Sequence, residues 1–158
     1  MSADPLVVVV HGKPAPQGSK RLVGQGHLIE SSAGVKPWRQ TVAFACRDAW
    51  RTANGDQLPN FKAAYAVALV FTMARPLNHY RSGKAGNPIR DGAPAIPAVT
   101  PDLDKLIRST LDGLADSGAI VNDSRVVEIA AVKTYPAGHL DALDVPGVVI
   151  TLREIGQT

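Results

Sequence analysis

The sequence predicts an α+β fold in one domain spanning residues 1–158, with a mixed or antiparallel sheet and two main helices packed on it. Short β-branched runs bounded by Gly and Pro read as strands, and two longer stretches carry apolar residues at helical spacing. Their order is too irregular for a regular strand-helix alternation. A length of 158 residues suits a single domain, and 45% apolar against 20% charged residues supplies a core and excludes a wholly disordered chain.

Leu6 to Val10 is short, β-branched and followed by Gly12 and Pro14, which marks a buried opening strand rather than a helix. Residues 36–51 space Trp38, Val42, Ala45, Cys46 and Ala49 on one helical face, with Pro37 in the first turn. From Ala64 to Ala74, Tyr65, Val67, Leu69, Phe71 and Met73 alternate with mostly alanine, so this strand is expected to be covered on both faces, with a helix close on its Ala side. Residues 77–100 contain Pro88, Pro94, Pro97, Gly83, Gly86 and Gly92 and no sustained apolar period. This long loop is a candidate substrate-contacting element, because structureless loops beyond roughly 12 to 15 residues tend to be functional or disordered.

Pro101 to Asp116 reads as the second helix, with Leu103, Leu106, Ile107, Thr110, Leu111 and Leu114 inward and Ser117-Gly118 as its stop. Arg125–Lys133 and Val148–Arg153 read as two final strands, expected to pair antiparallel. No internal repeat is present. No apolar run approaches the roughly 18 residues that cross a bilayer, and no export signal is visible. Cys46 stands alone, which excludes an intramolecular disulfide and a Cys-rich zinc site. His11, His27, His79 and His139 lack metal-ligand spacing.

The net charge of +3 conceals an asymmetry. Residues 1–100 carry 12 Lys/Arg against 5 Asp/Glu, and residues 101–158 carry 5 against 9. A basic half suits a polyanion, whereas an acidic cluster repels phosphate unless a cation sits between them. A solvated surface is the competing reading of composition alone. The acidic half contains Asp102-Leu103-Asp104 at a helix start. Two such carboxylates point about 200° apart in a continuous helix but converge if Asp102 occupies the non-helical capping turn. Taken alone, the pair reads equally as a cap and dipole complement. Asp123, at the chain's return into a strand, is expected to join them, and three Asp oxygens suit Mg²⁺. Such an ion orients and deprotonates water and polarises a phosphodiester. Arg108, one turn beyond Asp104, is placed to meet the phosphate or the departing oxygen, or to form an ordinary surface pair with Asp104.

Pro101-Asp102-Leu103-Asp104-Lys105-Leu106, then Leu111-Asp112-Gly113-Leu114, then Asn122-Asp123-Ser124-Arg125-Val126-Val127 and Lys133, resemble the RusA family of Holliday junction resolvases. The likeness is close over residues 100–135 and extends loosely to the Gly12-Lys13-Pro14-Ala15-Pro16 opening. It implies a RusA-like fold and a homodimeric, Mg²⁺-dependent endodeoxyribonuclease of recombination and repair, often phage-encoded, with Mn²⁺ as a substitute ion. Metal binding and catalysis fall on Asp102, Asp104 and Asp123, and catalysis also on Arg108. Arg108 stands where the family usually has Lys; it keeps the charge but is no proton donor near neutral pH. Lys105 replaces the usual Asn, and Asn122 replaces the first member of a common Asp-Asp pair, leaving that ligand position to Asp123 alone. The expected compartment is the cytoplasm of a bacterial or phage-infected cell.

Branched DNA is the expected partner. Lys13, Lys20 and Arg21 suit sequence-independent phosphate contacts, with solvated loop charge as the alternative. In the long loop Tyr80, Arg81 and Lys84 combine a ring that stacks on an unpaired base with cations, unless Tyr80 only packs the loop base. Lys105, Arg125 and Lys133 complete the expected DNA contacts. Lys133 lies about 33 Å along a straight strand from Asp123, too far to share its metal, and is read as a DNA or dimer contact. The leading function is paired nicking of a four-way junction; the alternatives are a nuclease on forks or flaps, and a non-catalytic junction binder.

Overall fold

The computed structural model describes residues 4–18, 20–24, 27–30 and 33–156, with the backbone course alone for 20–23 and 27–30. In chain order the elements are β1 (Leu6–His11), β2 (Lys20–Val23), β3 (His27–Glu30), α1 (Val35–Asn54), β4 (Ala64–Thr72), α2 (Leu103–Ser117), β5 (Val126–Thr134) and β6 (Gly147–Ile155). The expected α+β class holds: a mixed four-stranded sheet of order β1-β6-β4-β5 carries both helices. A separate antiparallel hairpin, β2-β3, falls where the sequence reading placed no strands.

The expected pairing of the last two strands is wrong. β6 is antiparallel to both β1 and β4 and lies between them, while β5 runs parallel to β4 at the sheet edge. The long loop and α2 form the crossover that a parallel pair requires. The alternation in β4 also resolves differently. Tyr65, Val67, Leu69 and Phe71 join Trp38, Val42, Leu106 and Leu114 in one core, so both helices pack on the large-residue face and not on the alanine face.

Leu106 and Leu114 of α2 are fully buried, whereas Leu103, Ile107 and Leu111, one turn apart, only flank the core. Trp38 Nε1 donates to Thr110 Oγ1 at 3.1 Å and ties α1 to α2 inside the core. Arg39 pairs with Asp116 at 2.9 Å, and Arg47 donates to the carbonyl oxygens of Asp116 and Ser117, placing positive charge at the carbonyl end of α2. Gly118 ends that helix in the left-handed region at φ 81°. Burial pushes the Cys46 thiol up to about 12.

Gly113 sets the distance between the helices. A Cβ there would lie 2.8 Å from Val42 Cβ and 3.0 Å from the Arg39 carbonyl oxygen, which is backbone and cannot step aside. Gly113→Ala is therefore expected to destabilise by about 1 to 3 kcal/mol, the overpacking exceeding the roughly 1 kcal/mol of helix propensity that Ala adds. A thermal melt reads this as a lowered Tm; a raised Tm would show that the helices separate freely.

Candidate active site

The backbone at Asp102 is extended, φ −67° and ψ 138°, immediately before α2. This is the N-cap position, yet its side chain makes no capping hydrogen bond. Its Oδ2 lies 3.4 Å from Lys105 Nζ instead, both side chains about half exposed. Asp104, in the first helical turn, is exposed and forms no ion pair among the described residues; in particular, no Asp104–Arg108 pair forms. Neither carboxylate caps the helix, Asp104 forms no ion pair among the described residues, and Asp102 is held by the half-exposed Lys105, a pair weak enough for a hard cation, whose preferred donors are oxygens, to displace.

The expected convergence of three carboxylates does not occur within one chain. Among the described residues no three His, Cys, Asp or Glu side chains gather closely enough to hold a metal ion. Fifteen residues of helix separate Asp102 from the turn that holds Asp123, a rise of about 22 Å. Asp123 begins a 3₁₀ turn, Asp123–Arg125, and its charge acts on Asp112, about 12 Å along the helix axis from Asp104. Asn122 is occupied locally: its Oδ1 accepts from the Ser124 amide at 3.0 Å and from the Ser124 hydroxyl.

It is Lys133 that stands at the acidic helix start. Because β5 runs back alongside α2, its far end returns there, and Lys133 Nζ donates to the carbonyl oxygens of Val99 at 2.6 Å and Pro101 at 2.8 Å. Arg125 is engaged inside the fold, donating to the carbonyl oxygens of Ala63 at 2.8 Å and Lys62. Lys13 and Lys105 line a cleft of about 670 Å³ with Asp102. Ser109 Oγ donates to the Ala15 carbonyl at 2.6 Å, and the Gln17 amide donates to the Lys105 carbonyl at 3.1 Å, so the segment after β1 is fastened to the start of α2 as a wall of that cleft.

The long loop has more order than its composition implied. Leu77–His79 and Arg81–Gly83 form 3₁₀ turns, and Tyr80 bridges Ile89. Tyr80 is half-buried, while Arg81 and Lys84 are exposed. Lys20 and Arg21 lie in β2, and their side chains fall outside the described residues. Sequence reasoning passed over Arg75, whose guanidinium lies 4.4 Å above the Tyr135 ring and donates to the Pro94 carbonyl at 2.9 Å. Its place just after β4, beside the Pro-rich loop, was the available signal.

Asp112 was also passed over as a separate group. Its carboxyl is held above the usual range chiefly by burial and further by Asp123 and Asp116, against the opposing pull of Arg39 and Arg108. With the folded-state value above the unfolded one, the ionised group costs stability at pH 7, and the cost vanishes where the group is protonated in both states. Asp112→Asn is thus expected to raise Tm at pH 7 and to lose that advantage as pH falls below about 4. Equal Tm differences at both pH values would remove the electrostatic cause.

An α+β domain that sets carboxylates and lysines at the rim of one cleft has the layout of a hydrolase acting on a polyanion. Comparison with known families makes this specific: residues 11–153 match the family described as Endodeoxyribonuclease RusA. The chain belongs to the RusA family, and it is an endodeoxyribonuclease that hydrolyses phosphodiester bonds in Holliday junctions. No curated protein matches it. Among the described residues no helix is long and apolar enough to cross a membrane.

Proposed function

We propose that this nuclease is a Mg²⁺-dependent homodimer that resolves four-way junctions by paired nicks during recombination, repair or phage DNA processing in the cytoplasm. The observation that carries the reading is Asp102, which occupies the capping position of α2 without capping it. Asp102 and Asp104 would hold Mg²⁺, or Mn²⁺ in its place, with Asp123 as the third carboxylate. The bound ion supplies a water activated near neutral pH and neutralises phosphate charge. Arg108 contributes fixed positive charge at the phosphate, and Lys13 and Lys105 hold the backbone against the acidic turn. Lys105 also neutralises Asp102 in the free protein. Lys20, Arg21, Tyr80, Arg81 and Lys84 remain proposed DNA contacts, with Lys133 and Arg125 positioning the chain around them.

The second copy is argued from the edge of the sheet. Among the described residues β5 has a strand on one side only, and Val127 and Ile129 on it are 65% and 43% exposed. Leu103, Ile107 and Leu111 lie half-buried on the neighbouring flank of α2. An unpaired edge with exposed β-branched residues invites another strand. Two β5 strands paired antiparallel about Ala130 set Val126 opposite the partner's Thr134. That register carries each Asp123 toward the partner's Asp102 and Asp104, which a single chain keeps apart. Two-fold symmetry also matches a junction in which two equivalent strands are nicked.

The deciding experiment compares nicking of a four-way junction, a flap, a fork and a linear duplex, each with Mg²⁺ or EDTA. Paired, Mg²⁺-dependent nicks favouring the junction are expected. A preference for flaps or forks would replace the junction reading with that of a broader branched-DNA nuclease, and undiminished nicking in EDTA would remove the metal.

A further inference from the structure

We propose that the cleft beside Asp102 receives one unstacked nucleobase from the branched DNA, next to the phosphate presented to the carboxylates. This rests on the nuclease reading above and adds a specificity site to it. The cleft of about 670 Å³ is walled by Pro14, Pro37, Pro101, Met73 and the rim of Trp38, with Lys13, Lys105 and Asp102 among its lining residues. Flat apolar walls with a few polar groups are how proteins hold a ring extruded from a stack. Trp38 is fixed by its bond to Thr110, and Ala15 and Gln17 are fastened to α2, so the walls are in place before DNA arrives.

A neighbouring cleft of about 460 Å³ shares Lys13, Pro14, Met73, Thr100 and Pro101 with the first and adds Arg75 and Lys133, with no acidic group in its lining. The second cleft is as apolar as the first, but Lys13, Arg75 and Lys133 along it favour backbone phosphates at its rim, while the base enters the first cleft, which Asp102 lines. A paired base in linear duplex is unavailable to such a cleft, whereas a junction centre offers unstacked bases at little cost. The cleft thereby ties recognition of branching to the position of the cut.

Thr41 is exposed on α1 and lines the apolar cleft, and among the described residues its hydroxyl donates only to the Pro37 carbonyl at 2.9 Å, so Thr41→Phe and the smaller Thr41→Leu fill the space without touching the core. The test scans 2-aminopurine one position at a time around the crossover of a four-way junction, with Ca²⁺ replacing Mg²⁺ to keep the strands intact. Wild-type protein is expected to raise the emission several-fold at one position beside the nicked phosphate. Thr41→Phe, shown folded by its melt, is expected to abolish that rise and lose about tenfold in junction affinity while keeping duplex affinity, with Thr41→Leu intermediate. An abasic nucleotide at that position should weaken the wild type by the same factor and leave Thr41→Phe unchanged. Bound wild-type protein that brightens no position, or a Thr41→Phe signal equal to wild type, overturns the proposal. Nicking in Mg²⁺ is scored separately: its absence defeats the nuclease reading, while the emission still decides whether the cleft takes a base.

Discussion

Asp102→Asn and Asp104→Asn are each expected to lower junction nicking by about 10³-fold or more while leaving junction binding intact or tighter. The size follows from the chemistry: a metal-activated water and a neutralised phosphate are worth several kcal/mol at the transition state, and each 1.36 kcal/mol is a factor of ten. Folding should be nearly unaffected. Among the described residues the only ion pair lost is that of Asp102 with Lys105, half exposed and 3.4 Å long, and such pairs contribute about 0 to 1 kcal/mol. Binding should survive because removing a negative charge from a phosphate-facing surface reduces repulsion. Gel shifts in EDTA and nicking rates in Mg²⁺ separate the two effects, and near-normal cleavage by either variant would take that residue out of the site.

The second large effect tests where the third carboxylate comes from. Asp123→Asn alone should be as inactive as Asp102→Asn. If each site combines Asp102 and Asp104 of one protomer with Asp123 of its partner, mixing the two dead variants restores nicking: a mixed dimer keeps one complete site, built from the protomer with intact Asp102 and the partner's intact Asp123. One of two nicks per junction is then expected from mixed dimers. Sites confined to single chains would stay inactive in every mixture. Ile129→Lys, which places charge on the exposed edge of β5, should shift the protein to monomer in sedimentation and abolish activity with its carboxylates intact. An active monomer would defeat the shared site.

Both helices were legible from their apolar spacing, and the four sheet strands from short β-branched or alternating runs bounded by Gly and Pro. Val42 and Cys46 in α1, and Leu106, Thr110 and Leu114 in α2, mark buried faces that the chain alone displays. The β2-β3 hairpin was overlooked although its signal is present: Leu22-Val23 and Leu28-Ile29 flank Gly24-Gln25-Gly26, but the adjacent Lys20 and Arg21 drew attention as phosphate contacts. Strand pairing was hidden for a different reason. Val148–Arg153 shows Val148, Ile150 and Leu152 on one face whether it pairs with one strand or sits between two, and nothing local to it says that β1 and β4 are its neighbours.

The candidate site divides in the same way. The residue types at Asp102, Asp104 and Asp123 announced oxygen-ligand chemistry, but their joint position depended on which way α2 points. The length of that helix left convergence within one chain to the return path through residues 118–122, which no local pattern in the sequence fixes. Lys133 was read only against Asp123; that it stands at the start of α2 follows from β5 running back along that helix, which no local pattern displays. Asp112, Arg75 and the cleft under Thr41 required the fold itself, because each depends on segments remote in the chain.

β6 is the last strand along the chain and the inner partner of both β1 and β4. On a ribosome this fixes an order of events. β1 and β4 emerge early, yet neither can complete the sheet until Gly147–Ile155 has left the exit tunnel and threaded between them. The walls of the cleft, carried on the ends of β1 and β4, come together only then. A nascent chain is accordingly expected to lack the assembled cleft until β6 has emerged and docked.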